Sequence, residues 1–131
     1  MNTKSAAESY QRLSVENAPP LQVVRMLYQG ALRFLAQAEQ LKPETQRTEF
    51  QQALTDADAI ISELRNSLDH DAGPEVAEQL DKLYDFCEAQ LAKATLENST
   101  EPISSVSQVL RTLLEAWNQI EVATPTLNDA G

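Results

Sequence analysis

Four carboxylates, Glu78, Asp81, Asp85 and Glu88, recur at helical spacing and so share one helix face. Inward carboxylates on facing helices hold the metals of bundle di-iron sites, but those sites also need a Glu-x-x-His pair on each of two helices. The chain has one histidine, His70, so that set cannot be assembled. Lys82 follows Glu78 by four residues, the favourable order for an ion pair, and the acidic stripe reads as a solvated face. Asp69-His70-Asp71 has the residue types for weak metal binding or a proton relay. It falls at the expected end of a helix, before Ala72-Gly73-Pro74, where a histidine complements the helix dipole, and it reads as an end-and-turn. Cys87 is the single cysteine, which excludes an internal disulfide and a multi-cysteine zinc site. It continues an apolar stripe after Leu80, Leu83 and Tyr84 and reads as a small hydrophobe. There is no Gly-x-Ser-x-Gly elbow, and Gly30, Gly73 and Gly131 stand too far apart for a phosphate-cradling loop. No catalytic residue, metal site or cofactor is expected.

Composition narrows the function further. The chain has 131 residues, enough for one domain with short tails, and 42% of them are hydrophobic, enough for a core. Twenty acids against ten bases give a net charge of −10. Nucleic-acid affinity rests on Lys and Arg neutralising phosphates, so no nucleic-acid partner is expected. An anionic membrane surface is disfavoured for the same reason. The opening Met1-Asn2-Thr3-Lys4-Ser5 leads into no apolar run, which predicts no signal peptide. No stretch approaches 18 apolar residues, so no membrane insertion is expected. These features predict a soluble cytoplasmic protein.

The elements that would position any site are marked by proline. Pro19-Pro20, Pro43, Pro74 and Pro102 each precede a run of helical apolar period, and proline suits the first turn of a helix. Segment 20–40 places Leu21, Val24, Leu27, Tyr28, Ala31, Leu35 and Ala38 on one face, with Val23, Met26, Gly30 and Phe34 beside it. That stripe is wide enough for a central helix or for one that also meets a partner. Segments 44–69, 74–97 and 102–122 are amphipathic in the ordinary way, the last carrying Trp117 at core spacing. Short connections make successive helices antiparallel neighbours. The predicted fold is all-α: an antiparallel up-down four-helix bundle over residues 19–122, with a short extra N-terminal helix. Residues 1–18 form an N-terminal segment that docks on the bundle or stays mobile, and 123–131 a flexible tail.

Binding candidates follow from this layout. Gly30, inside a helix, costs about 1 kcal/mol against alanine, which fits either a close helix–helix contact or a notch for a partner's backbone. Met26, Leu27, Tyr28 and Phe34 supply Met and aromatic surface on the wide helix, although Leu27 and Tyr28 also fit the core stripe. Tyr10, Leu13 and Val15 supply more in the N-terminal segment, either as structural burial or as a cover that a partner displaces.

A family resemblance lies in these stretches. Ser9-Tyr10-Gln11-Arg12, a spacer ending at Pro19, and residues 21–31 (Leu-Gln-Val-Val-Arg-Met-Leu-Tyr-Gln-Gly-Ala) resemble the opening of the flagellin-specific export chaperones, the FliS family. Residues 57–69, 75–86 with Leu83-Tyr84-Asp85-Phe86, and 110–120 ending Ala-Trp-Asn-Gln-Ile are similar to that family's later helices. Ala72-Gly73, Gln79, Thr95 and Ala18 depart from the usual pattern. The resemblance implies a four-helix bundle with an extra N-terminal helix. It also implies a chaperone that binds the disordered C-terminal region of flagellin, prevents premature polymerisation and assists delivery to the flagellar type III secretion apparatus. The implied partners are the flagellin C-terminal segment and the cytoplasmic domain of the export gate, with no cofactor. The chain would act as a monomer or weak homodimer. The alternative is a self-associating helical bundle, structural or adaptor, without a flagellin client.

Overall fold

Four helices follow one another with short links: α1 Leu21–Gln40, α2 Arg47–Asn66, α3 Pro74–Glu97 and α4 Ile103–Ala130. The structure, a computed structural model, describes residues 21–71 and 73–130, with side chains through residue 119. Each helix packs on its neighbours in sequence, and α4 closes the ring on α1. The buried positions explain why. In α1 they are Leu21, Val24, Tyr28, Ala31, Leu35 and Ala38; in α3 they are Ala77, Leu80, Tyr84, Cys87, Leu91 and Ala94. Steps of three and four alternate, which keeps one seam facing inward along each helix. Phe50, Ile61, Val106, Leu110 and Trp117 complete the centre from α2 and α4. The all-α bundle expected from the period is the one observed.

The boundaries differ in detail. Pro43 does not open α2; it sits in a turn closed by Gln46 N–H to Lys42 O at 2.7 Å and Lys42 N–H to Gln46 Oε1 at 3.0 Å. The helix therefore begins at Arg47 rather than near 44. Its end comes at Asn66 because Ser67 Oγ turns back to the carbonyls of Glu63 and Leu64, at 2.9 and 3.0 Å. A serine that competes for helix carbonyls in this way favours termination. Pro74 opens α3 as its spacing predicts, and Asn98 stops it in the left-handed conformation, φ 52°. Asn tolerates that conformation, and Ser99 N–H then reaches Ala94 O at 3.0 Å. Asn98 Nδ2 also donates to Pro43 O at 3.0 Å, tying the α3–α4 link to the α1–α2 link at one end of the bundle.

The expected end of the last helix at 122 is corrected: α4 continues to Ala130, through Pro125. Proline's fixed φ is itself helical, although inside a helix it removes one donor and crowds the carbonyl four residues back. The expected N-terminal segment, residues 1–18, lies outside the described residues.

Candidate functional site

The sequence-derived binding residues separate into inside and outside. Tyr28 is fully buried, its hydroxyl bonded to that of Tyr84 and its ring 6.3 Å from Trp117 at a 50° tilt. This corrects its placement on a partner surface: of its two readings, the core one holds. The 3-4 phase that buries Val24 and Ala31 carries Tyr28 inward with them. Gly30 is also buried, against α2, where a Cβ would lie 3.4 Å from Ile60 Cδ1. It is a close helix contact rather than a notch. Leu27 and Phe34 are half-buried and packed against the core, while Met26 is 58% exposed. Tyr10, Leu13 and Val15 lie outside the described residues.

Two apolar grooves flank α3, and neither was singled out from sequence. Between α3 and α4, Leu83 and Phe86, 37% and 42% exposed, join Val109 and Leu113 around a groove of about 340 Å³. Between α2 and α3, Leu54, Leu91 and Leu96 line one of about 480 Å³, with Leu96 85% exposed. The signal was present. Leu83 fits the apolar stripe by spacing, but it sits about 100° around the helix from Tyr84, off the seam that Leu80, Cys87 and Leu91 define. Phe86 and Leu96 are likewise out of phase with it.

The acidic stripe is more than a solvated face. Arg65 of α2 reaches across to α3, with Nε 2.7 Å from Asp81 Oδ1 and Nη1 2.9 Å from Glu88 Oε1 and 3.2 Å from Asp85 Oδ1. Ser62 Oγ donates to Glu88 Oε2 at 2.6 Å. The hydrogen bond from Arg65 holds the Asp81 carboxyl below the usual carboxylate range, and the same contacts raise the guanidinium further. Asp58 moves the other way: burial, then the neighbouring Glu88, push its carboxyl up. Lys82 pairs with Glu78 at 3.4 Å, as their spacing predicts. Among the described residues no group of acids, His or Cys has the arrangement of a metal site.

His70 is exposed, and Asp69 Oδ1 accepts the Asp71 N–H at 3.1 Å, forming the turn. Cys87 is fully buried, and burial pushes its thiol up to about 12, which disfavours the thiolate.

Residues 2–124 match the family model described as flagellar protein FliS. The flagellar secretion chaperone FliSB of Pseudomonas aeruginosa is 34% identical, over 92% of this chain and 98% of its own. The flagellar secretion chaperones FliS of Salmonella typhimurium and Campylobacter jejuni are 34% and 37% identical, over 92% of this chain and 93% and 94% of theirs. No helix among the described residues is long and apolar enough to cross a membrane.

Proposed function

This chain belongs to the FliS family of flagellar proteins, and on that premise we propose that it is a cytoplasmic export chaperone for flagellin. It binds the disordered C-terminal segment of flagellin, keeps subunits from polymerising early, and presents them to the cytoplasmic domain of the flagellar export gate. The observation that carries this reading is the apolar surface on both flanks of α3, with Leu83, Phe86 and Leu96 facing solvent on a bundle whose core is already closed. Contiguous apolar surface of this kind marks an interaction site. An amphipathic client segment lays its apolar side chains into such grooves and orders as it does so.

The energetics suit a chaperone that must let go. Folding on binding buries roughly 1,000–3,000 Å² but gives back several kcal/mol to ordering the client, so the bond is specific and reversible. No nucleotide is needed for either step. A net charge of −10 keeps a protein with bare apolar grooves from collecting on itself.

The test is a calorimetric titration with the flagellin C-terminal peptide, with helicity followed by circular dichroism. One-to-one binding, a negative heat-capacity change and a gain of helix support the reading. No binding at high micromolar concentration removes the client and moves self-association to the front.

A further inference from the structure

The groove between α2 and α3 is apolar along its wall and acidic at one end. Leu54, Leu91 and Leu96 form the wall, and Asp58 of α2 faces Glu88 of α3 across the end. The charged groups lining this place are Asp58 from α2 and Glu88 from α3, and Arg65 of α2 reaches Glu88 along with Asp81 and Asp85 of α3. Arg65 spends its donors on Asp81, Asp85 and Glu88, and among the described residues no cation reaches Asp58. Three carboxylates thus share one guanidinium, and among the described residues Asp58 is left with only its contact to Glu88.

That imbalance decides what fits. A purely apolar segment laid on Leu54 and Leu91 strips water from Asp58 and returns nothing to it, which is costly for a charged group, while Glu88 keeps Ser62 and Arg65. An acidic segment adds repulsion. A segment that carries one Lys or Arg among its apolar side chains covers the wall and completes the carboxylate pair. A second copy of this chain, itself at −10, is a poor occupant.

We propose that the α2–α3 groove selects for a positive charge in the client: an amphipathic helical segment whose apolar side chains lie on Leu54, Leu91 and Leu96 and whose single Lys or Arg sits against the adjoining carboxyls of Asp58 and Glu88. The assignment rests on the flagellin reading above and adds a specificity-determining pair to it.

The experiment is a double-mutant cycle by calorimetry on the full chain. The client is the flagellin C-terminal segment, used as it is and with each Lys or Arg changed in turn to Gln; the chain is used as it is and as Asp58→Asn. Asp58→Asn and one of the client changes should each weaken binding about 5- to 20-fold, and together no more than either alone. A second variant, Thr55→Lys, sets a cation from the same wall one turn from Asp58 and should weaken binding to a similar degree while removing the client's charge dependence. Unchanged binding by both variants, or losses that add, overturns the proposal while leaving the client intact. Tighter binding by Asp58→Asn also overturns it, since the carboxylate would then oppose the client. If the unaltered segment does not bind at all, the client reading itself falls, and this one with it.

Discussion

Tyr28 and Tyr84 meet hydroxyl to hydroxyl at the centre of the bundle, joining α1 to α3, two helices that are not neighbours in the ring. Both rings are buried, so the pair forms a polar contact inside an otherwise apolar seam. Removing one partner leaves the other hydroxyl with less than it had, whereas removing both leaves an apolar fit of the same shape. Tyr84→Phe should therefore cost about 1 kcal/mol in urea unfolding, and Tyr28→Phe a similar amount. The double variant should lie closer to the parent than the two losses added. Strict additivity would mean that the two hydroxyls act through separate surroundings.

Arg65 is the main polar link between α2 and α3. Its side chain and that of Asp81 are about a third exposed, 30% and 36%, so solvent screens the gain. Arg65→Met should lower stability by about 1 kcal/mol at neutral pH and low salt, and by less in high salt. Acid has a definite sign. Arg65 holds the folded Asp81 carboxyl below its unfolded value of about 3.9, so the contribution is complete above that value and is lost as pH falls through the folded one. Parent and variant should thus converge in thermal unfolding below about pH 4. A gap that stays constant from pH 7 to pH 3 would assign the loss to packing of the arginine stem instead.

How much of this was legible in the sequence depends on whether a residue is placed by its own helix or by another. Val24, Ala31, Leu80, Cys87 and Trp117 follow a period within one segment, and their burial could be read directly. Tyr28 fits two faces at once by spacing; the phase it shares with Val24 and Ala31 turns it inward, where its hydroxyl meets that of Tyr84, 56 residues away. The acidic stripe could be seen, but Arg65, which makes it a clamp, comes from a different helix. The grooves depend on the rotation of α3 against both neighbours, which no single segment fixes. The end of α2 is a local matter of a different kind: Ser67 Oγ bonds back to Glu63 and Leu64 of its own helix, which apolar period does not register.

Gly30 offers a stabilising change. A methyl added there would meet Ile60 Cδ1 at 3.4 Å and Arg33 Nη2 at 3.8 Å, ordinary contact with the ends of flexible side chains. Alanine is about 1 kcal/mol better than glycine inside a helix. Gly30→Ala should therefore stabilise the bundle by about 0.5–1 kcal/mol, raising the thermal midpoint by a few degrees. It should leave client affinity unchanged, since the position is buried between α1 and α2. A loss of stability would show that α1 and α2 are packed more tightly here than the Ile60 contact indicates.

The α3–α4 groove and the exposed Met26 can be separated by substitution. Leu83 and Phe86 stand on the groove wall but are only partly buried, so replacing them with glutamine, a good helix former, spares the core seam of Tyr84 and Cys87. In calorimetric titrations with the flagellin C-terminal segment, Phe86→Gln should weaken binding at least about tenfold, because aromatic anchors in a groove carry a disproportionate share of binding energy. Leu83→Gln should weaken it somewhat less. Met26 is 58% exposed on α1, away from both grooves that flank α3, and Met26→Gln should cost no more than about threefold. Thermal unfolding of all three should stay within a few degrees of the parent. If Met26→Gln abolishes binding while Phe86→Gln leaves it intact, the client lies on α1, where sequence spacing first put it, and the α3–α4 groove serves some other contact.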